Sequence, residues 1–355
     1  MTNISLKSIK YESIKAILNS IAEVDRISRA EISEKTDLSL VTVGKIADAL
    51  LERNVVTQVK EIRSQAGRRA GLLSINPERF SLILDFTRYE FRCAILNLRL
   101  DTLDKFTFQY RPNATYEENV QAFLAETSVN VRRSYDMEQN CIGVGVAVPG
   151  PYDAATDRVF TSRIPELADL PLGEIVKRHF RRMPLVIDSH INAAARSNIR
   201  HVEDYEHKNI VYWYVSDHFV CGVYVVAGNL ILGKNGHACD LGSVRQLTGC
   251  TVEKKIAACK DQNEVVDTLG LPVYNLIRAL NPHTVILDFC FPFDCDGIIP
   301  SLNDALRLQF GMKPEDMPEL RRAWCKSHNS HRGLTMSLRE LWLNEIVYGP
   351  SDGSL

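Results

Sequence analysis

Between positions 14 and 51, apolar residues recur at helical spacing in three consecutive segments joined by short connections. Spacing at i, i+3, i+4, i+7 and i+8 places apolar side chains on one face of a helix, and the third segment repeats the spacing of the first. Each helix then has a face to bury, so the three helices are expected to share one core. The two longer stripes consist of Ile14, Ile17, Leu18, Ile21, Ala22, Val43, Ile46, Ala47, Leu50 and Leu51.

The second and third helices begin at capping signals. Ser28 and Glu31 have the spacing of a capping box, and Ser39 is placed to cap the third helix after a turn at residues 36–38. Two helices joined by so few residues have the geometry of a helix-turn-helix. A three-helix interaction module with a solvated outer face would give the same pattern, and the helices alone do not separate the two.

The next segment favours DNA binding. Residues 54–77 alternate like two strands joined by a turn, as in the wing of a winged helix, and paired arginines beside Gly67 suit a narrow minor groove. In isolation, such arginines are more often solvated loop charges. A third helix lying in a major groove would face the DNA with the side opposite its stripe, and Gly44 would let the backbone come close. The predicted DNA-contacting residues are Ser28, Arg29, Ser39, Thr42, Lys45, Arg68 and Arg69.

Charge is shared unevenly along the chain. Residues 1–72 carry a net charge of +3 and the remainder −5, which assigns any nucleic-acid partner to the N-terminal segment. No run of about 18 apolar residues and no secretory signal pattern occurs. The nine cysteines are an odd number and include no Cys-x-x-Cys pair, as expected for reduced thiols. A cytoplasmic protein without a membrane partner is therefore expected.

From about residue 79 the pattern changes to strands alternating with helices. Residues 80–85, 91–98 and 102–110 predict a three-strand meander, residues 116–135 a helix, and residues 141–148 an apolar strand that ends in a Pro-Gly-Pro turn. The expected fold class of this part is α/β, with sheets covered by helices, and its length is sufficient for two lobes.

Six motifs follow one another along nearly the whole chain: ISRAEISEKTDLSLVTVGKIADALLERNVV, GRRAGLLSINP, GVGVAVPGP, INAAA, GKNGHACDLG and GCTVE. Together they resemble the ROK family (repressor, open reading frame, kinase), in its transcriptional-repressor branch. The resemblance implies a winged helix-turn-helix at residues 1–75 followed by a two-lobed, actin-like, sugar kinase-like fold. The first lobe would span residues 76–190 and the second residues 191–355, with the C-terminal helix returning to the first lobe.

The resemblance also implies where a kinase would hold its catalytic groups. Family kinases carry a general-base aspartate just before the Ala-Asn-Ala-Ala helix start, and that position falls on His190, with Asp188 out of place. The three nucleotide-binding elements correspond to residues 85–89, 217–222 and 288–290, which lack the family's glycine patterns. Phosphoryl transfer needs such elements around the phosphates, so no enzymatic activity and no cofactor are expected. The alternative is a ROK sugar kinase with a DNA-binding domain, in which His190 replaces the aspartate.

The sugar contacts of the family are partly retained. His237 and Glu253 stand at family sugar-contact positions, whereas Lys234 replaces a glutamate and Arg163 an asparagine. If the two cations point inward, they favour an anionic sugar phosphate or sugar acid over a neutral sugar; if they point outward, they are ordinary surface charges. Asp188 either caps the following helix or belongs to a ligand-sensing turn. The predicted ligand-binding residues are His237, Glu253, Ser189, His190, Lys234 and Arg163.

The resemblance also raises the question of whether the chain binds zinc. Family members hold it with the histidine of the Gly-His motif and three cysteines, a closed four-ligand site. This chain offers His237 and Cys250, with Cys239 at an unfamiliar spacing. Three candidates do not close a tetrahedron, so no metal site is predicted.

The predicted function is a transcriptional regulator with a degenerate, non-catalytic kinase-like body. Its expected partners are a double-stranded DNA operator, a sugar, sugar phosphate or sugar acid as effector, and further copies of itself in a homodimer or homotetramer. The expected targets are genes of sugar uptake or catabolism, which the regulator represses.

Overall fold

The computed structural model describes residues 6–59, 71–161, 163–246, 249–324 and 329–348. The chain divides into two compact units that are discontinuous in sequence. The first unit comprises residues 1–146, 170–187 and 334–355, and the second comprises residues 147–169 and 188–333. The predicted lobes, at residues 76–190 and 191–355 with the C-terminal helix returning to the first lobe, remain a prediction. Among the described residues, no helix has the length and apolar character needed to cross a lipid bilayer.

The first unit begins with three helices and a two-stranded antiparallel sheet: α1 (Leu6–Ala22), α2 (Arg29–Thr36), α3 (Leu40–Glu52), β1 (Val56–Val59) and β2 (Leu72–Ile75). Apolar side chains of all three helices form one buried core, as their spacing predicts. Its fully enclosed members include Ile17, Leu18, Ile21, Ile32, Val43, Ala47 and Leu50. The tip between β1 and β2, including Arg68 and Arg69, lies outside the described residues.

Both predicted helix caps are confirmed. Ser28 accepts a hydrogen bond from the backbone N–H of Glu31 and the Glu31 carboxylate accepts one from that of Ser28, which completes the capping box at the start of α2. Ser39 Oγ accepts from the backbone N–H of Thr42 at 3.2 Å at the start of α3. Between the two helices, Asp37 adopts a left-handed conformation with φ of 54°, which ends α2 and reverses the chain.

The rest of the first unit is built on a five-stranded sheet in the order β5-β4-β3-β6-β9. The predicted meander is confirmed as three antiparallel strands, with boundaries that differ from the predicted ones by at most three residues. The elements between residues 80 and 189, in chain order, are β3 (Phe80–Asp85), β4 (Arg92–Asn97), β5 (Thr102–Thr107), α4 (Tyr116–Ser134), α5 (Met137–Asn140), β6 (Cys141–Val148), β7 (Tyr152–Asp153), β8 (Arg158–Val159), α6 (Pro165–Ala168), α7 (Leu172–His179) and β9 (Leu185–Ser189), of which β7, β8 and α6 belong to the second unit.

The second unit contains the other five-stranded sheet, in the order β12-β11-β10-β13-β14. Strands β10, β13 and β14 run parallel, and β11 and β12 extend the sheet in antiparallel pairs. The elements from residue 190 onward, in chain order, are α8 (His190–Ile199), β10 (Asn209–Ser216), β11 (Val220–Val226), β12 (Asn229–Ile231), α9 (Val252–Ile256), α10 (Gln262–Leu280), β13 (Thr284–Cys290), α11 (Ile298–Leu308), β14 (Glu319–Arg322) and α12 (Asn329–Tyr348), whose residues from 334 onward belong to the first unit.

Three arginines connect the three-helix segment to the rest of the first unit through hydrogen bonds and a salt bridge. Arg79 Nε and Nη2 donate to the carbonyls of Asn54 and Arg53, at 3.1 and 3.2 Å, just beyond the end of α3. Arg99 pairs with Asp25 and donates to Ser74 Oγ at 2.9 Å. Arg339 of α12, which is buried, donates to Asn19 Oδ1 of α1 at 2.9 Å and to the carbonyl of Leu98 at 3.3 Å. The three-helix segment and the sheet of this unit therefore form a continuous hydrogen-bonded body.

Candidate functional site

The exposed face of α3 brings three of the predicted DNA-contacting residues together. Ser39 and Thr42 share a hydrogen bond of 2.8 Å between their hydroxyls at the first turn, and Lys45 lies one turn further along, exposed. Sequence analysis missed two neighbours, Leu40 and Val41, which are 56% and 68% exposed in the same first turn. Large apolar side chains at such exposure have the chemistry for contact with thymine methyl groups. In the sequence, Leu40 and Val41 could have been recognised as exposed because they lie outside the apolar stripe of α3.

Ser28 and Arg29, also predicted to contact DNA, have internal roles in the structure. Ser28 is engaged in the capping box of α2, and Arg29 forms a salt bridge with Asp48 of α3. This salt bridge joins α2 to α3. In the structure these two residues support the exposed face of α3.

A cavity of about 250 Å³ lies within the second unit. It is formed where the Pro-Gly-Pro turn, the start of α8, the turn between β10 and β11, the loop at residues 232–238 and the start of α9 converge. Five of the six predicted ligand-binding residues line it, whereas Lys234 does not and is exposed to solvent. The five that the structure brings together are Arg163, Ser189, His190, His237 and Glu253.

The loop that carries His237 is held closely against the Pro-Gly-Pro turn. The backbone N–H of Ala238 donates to the carbonyl of Leu232 at 3.0 Å, which closes the loop. Gly236 has a φ of +73°, and a Cβ at this position would lie 2.6 Å from the Pro151 side chain. Only glycine satisfies both conditions, so the glycine next to His237 sets the position of the histidine at the cavity wall.

Arg163 and Glu253 form the charged centre of the cavity. Arg163 Nη2 donates to Glu253 Oε2 at 2.8 Å, and the same oxygen accepts from the backbone N–H of Val220 at 3.0 Å. The Arg163 guanidinium also lies 4.5 Å from the ring centroid of Phe219 and donates to the carbonyl of His218. Arg163, which replaces the family asparagine, therefore points into the cavity and donates a hydrogen bond to one carboxylate oxygen of Glu253.

This pairing removes the basis for the predicted preference for anionic effectors. Arg163 is neutralised by Glu253, Lys234 is absent from the lining, and Asp240 adds a second carboxylate to the cavity wall. The side chains of Arg163, Asp240 and Glu253 together carry a net negative charge. A phosphate or carboxylate entering this cavity would meet net repulsion, so the geometry favours a neutral ligand.

The start of α8 shows how His190 and Asp188 are used. His190 Nδ1 lies 3.1 Å from the carbonyl of Val148, so this nitrogen carries the proton, and the ring packs edge-on against Phe219 at 5.1 Å. Asp188 accepts from the backbone N–H of Ser189 at 2.8 Å and from Asn192 Nδ2 at 2.9 Å. Burial raises the pKa of the Asp188 carboxyl, and the hydrogen bonds oppose that rise. Asp188 is committed to the start of the helix and does not line the cavity.

Residues at two of the family's three nucleotide elements form hydrogen bonds within the protein. In the first unit, Asp85 Oδ1 accepts from the backbone N–H of Thr87 at 2.9 Å and closes that turn. In the second unit, the buried Asp288 accepts hydrogen bonds from Tyr212 Oη and from Asn329 Nδ2, the latter at 2.9 Å. Burial raises the pKa of the Asp288 carboxyl. An acidic side chain thus stands at the first position of residues 288–290, where the family's nucleotide element has a glycine pattern.

The residues present do not fit the zinc site of the family. Among the described residues, which omit positions 247 and 248, no group of three His, Cys, Asp or Glu side chains is placed to hold a metal ion. Cys239 packs against the apolar core of the second unit, and burial raises the pKa of its thiol to about 12. A zinc ligand has to be a thiolate, which this environment disfavours.

Comparison with solved structures identifies proteins that have a similar fold. A crystal structure of a ROK family transcriptional regulator, a homologue of the Escherichia coli MLC protein, matches with a TM-score of 0.70 over 96% of this chain and 98% of its own, at 15% identity. The ROK hexokinase from Thermus thermophilus matches with a TM-score of 0.55 over 73% of this chain and 97% of its own, at 20% identity. The two α/β units therefore have the actin-like, sugar kinase-like fold.

The sequence comparison is more specific. The model of the ROK family matches residues 82–269, more than half of the chain, and the protein belongs to the ROK family. The xylose repressor of Bacillus spizizenii is 25% identical over 326 residues, which cover 79% of this chain and 82% of the repressor.

Proposed function

We propose that this protein is a DNA-binding transcriptional regulator, a repressor of genes for the uptake or catabolism of a sugar, acting in the cytoplasm. The observation that carries the proposal is the three-helix segment, with the exposed first turn of α3, joined to a ROK domain by Arg79, Arg99 and Arg339. The similarity to a protein named xylose repressor supports the same function. The kinase-like body would serve for effector sensing and for assembly as a homodimer or homotetramer.

The arrangement of the N-terminal segment supports the proposal of a winged helix-turn-helix. Helices α2 and α3 are joined by a three-residue turn, and β1 and β2 form an antiparallel pair that extends from the same core. Ile27 makes a further antiparallel bridge with Leu73, which connects the start of α2 to this sheet. In this architecture α3 is the helix that enters the major groove.

Lys45→Ala is expected to weaken binding to all DNA sequences alike and to reduce the slope of log K against log salt by about one, because an exposed lysine on α3 would neutralise one phosphate. The measurement is a fluorescence anisotropy titration at several salt concentrations, on a site identified by genome-wide mapping of bound DNA. Lys105→Ala, which removes an exposed lysine from β5, is the control and should leave the slope unchanged. A slope unaffected by Lys45→Ala would remove this residue from the interface.

Gly44→Ala should have opposite effects on folding and on DNA binding. A Cβ at this helical position meets no protein atom within 4 Å, so alanine should stabilise α3 by about 0.5–1 kcal/mol. If the backbone of α3 approaches the DNA at this point, the added methyl group should weaken operator binding. Urea unfolding and the anisotropy titration test the two effects separately. Unchanged affinity in the stabilised variant would show that the DNA lies away from Gly44.

The proposed body is non-catalytic. His190 stands at the position of the family's catalytic aspartate. Asp85 and Asp288 occupy two of the nucleotide positions, and each accepts hydrogen bonds from protein groups. We expect no saturable ATP binding by calorimetry at millimolar concentration and no phosphorylation of sugars. ATP-dependent turnover that is lost in His190→Ala would instead support the alternative of a sugar kinase with a DNA-binding domain.

Effector sensing is assigned to the cavity around Glu253 and His237. A ligand shifts a regulator only through its different affinities for the DNA-competent and DNA-incompetent states. A true effector should therefore change both the Tm and the operator affinity, and Glu253→Ala or His237→Ala should abolish this response while basal DNA binding persists. If a broad panel of sugars changes neither quantity, the kinase-like body serves for assembly alone.

A further inference from the structure

The cavity of the second unit has an apolar rim that its sugar-contact residues do not explain. Phe160, Ile231 and Leu232 line the same cavity as Glu253 and His237, and their side chains are 50%, 41% and 44% exposed. Large apolar residues at such exposure are usually scattered singly over a protein surface. Here three of them line one cavity, which offers a bound ligand an apolar contact surface.

The backbone on both sides of the rim is fixed by hydrogen bonds. The N–H of Phe160 donates to the carbonyl of Pro151 at 2.8 Å. Ile231 lies in β12, paired with Tyr224 of β11, and the carbonyl of Leu232 closes the loop at residues 232–238. The exposed apolar groups are therefore presented by ordered backbone, and a ligand could bury them without first ordering the chain.

The polar end of the cavity complements this rim. Glu253 Oε2 already accepts from Arg163 and from Val220, whereas no described residue donates to Oε1. A ligand hydroxyl can donate to this second oxygen while the salt bridge remains intact. The negative charge of the lining disfavours an anionic group here, as described above.

We infer that the cavity binds a neutral glycoside, with its sugar ring against Glu253 and His237 and an apolar aglycone, such as a phenyl group, on Phe160, Ile231 and Leu232. This inference rests on the proposed effector-sensing function and names the ligand class for that site. The volume of about 250 Å³ lies just below the range of about 300–1,000 Å³ that is usual for ligand sites, which limits the ligand to a monosaccharide with a small substituent.

The test uses three matched probes on the full-length protein: methyl β-D-glucoside, phenyl β-D-glucoside and phenyl β-D-glucuronide, with methyl and phenyl β-D-xyloside as a second pair. Calorimetry should show that the phenyl glycoside of at least one pair binds about tenfold or more tightly than its methyl counterpart, because a phenyl group buries additional apolar surface. The glucuronide, which has the same aglycone and a carboxylate, should bind more weakly than the phenyl glucoside.

Variants separate the rim from the rest of the site. Leu232→Ala and Phe160→Ala should each reduce the preference for phenyl over methyl glycosides, because they remove exposed apolar surface from the rim. Leu308→Ala removes a side chain that is 80% exposed on α11 and should preserve the preference.

The outcomes distinguish this inference from the function on which it rests. Equal affinity for methyl and phenyl glycosides would overturn the apolar-aglycone assignment while retaining a sugar sensor. Tighter binding of the glucuronide would overturn the assignment of a neutral ligand. No binding of any probe would remove the glycoside site and leave operator binding, measured separately, as the test of the regulator.

Discussion

Gly333→Ala is expected to lower the free energy of unfolding by about 3 kcal/mol. A Cβ at this position of α12 would lie 1.7 Å from the carbonyl oxygen of Ala193 in α8, and 2.4 Å from its carbonyl carbon. Both obstacles are backbone atoms within the second unit, so no rotamer change can relieve the overlap. Helices α8 and α12 would have to move apart at Ala193, which lies close to His190 at the start of α8. The midpoint of urea unfolding, followed by circular dichroism, measures the loss.

Gly44→Ala provides a matched control, because it is the same substitution within a helix at a position where the new methyl group meets no protein atom. The two variants should shift the urea midpoint in opposite directions. If Gly333→Ala unfolds at the midpoint of the parent protein, the close approach of α12 to α8 is not a feature of the protein in solution.

Arg79→Ala is expected to cost about 2–4 kcal/mol, since hydrogen bonds from a charged group are worth about 1.5–3 kcal/mol each and are not additive. The guanidinium donates to the carbonyls of Arg53, Asn54 and Gln139, and lies 5.4 Å from the ring centroid of Trp342. Its charge also faces the negative end of the α3 dipole. Removing it deprives the end of the proposed recognition helix of these donors.

Thermal and urea unfolding measure the global loss, and hydrogen exchange at the end of α3 measures the local one. Arg79→Lys retains the charge without the planar fork, so its loss should be intermediate. Arg307→Ala removes an arginine from an exposed pair with Asp304 and should change the stability by less than about 0.5 kcal/mol. A similarly small change in Arg79→Ala would show that the arginine is a surface group without a structural role.

Features encoded by neighbouring residues could be predicted from the sequence. The caps at Ser28 and Ser39 depend on contacts within three residues, and the meander and the apolar stripes depend on local periodicity, so all of these were readable. The identification of Glu253, His237 and Arg163 as members of one site came from family motifs, whose order reflects a shared fold. The cavity brings these residues together.

Contacts between distant residues could not be predicted. The Arg163–Glu253 pair joins positions 90 residues apart, and the partners of Asp288 come from two other elements. Lys234 and Arg163 had the same charge and the same kind of motif position, yet the structure directs one to solvent and the other to a carboxylate. The direction of a long side chain is set by partners that become neighbours only in the folded chain, so the sequence left open which of the two cations points into the cavity.

The arginine contacts of the first unit have a consequence for the engineering of biosensors from such regulators. A chimera made by exchanging residues 6–75 for the equivalent segment of another regulator would remove the side-chain acceptors of Arg99 and Arg339, which are Asp25 and Asn19. Arg79 bonds to backbone carbonyls, which a replacement segment also supplies. A workable exchange has to transfer these acceptor–arginine pairs together, so the unit of recombination is larger than residues 6–75 and includes part of the C-terminal helix.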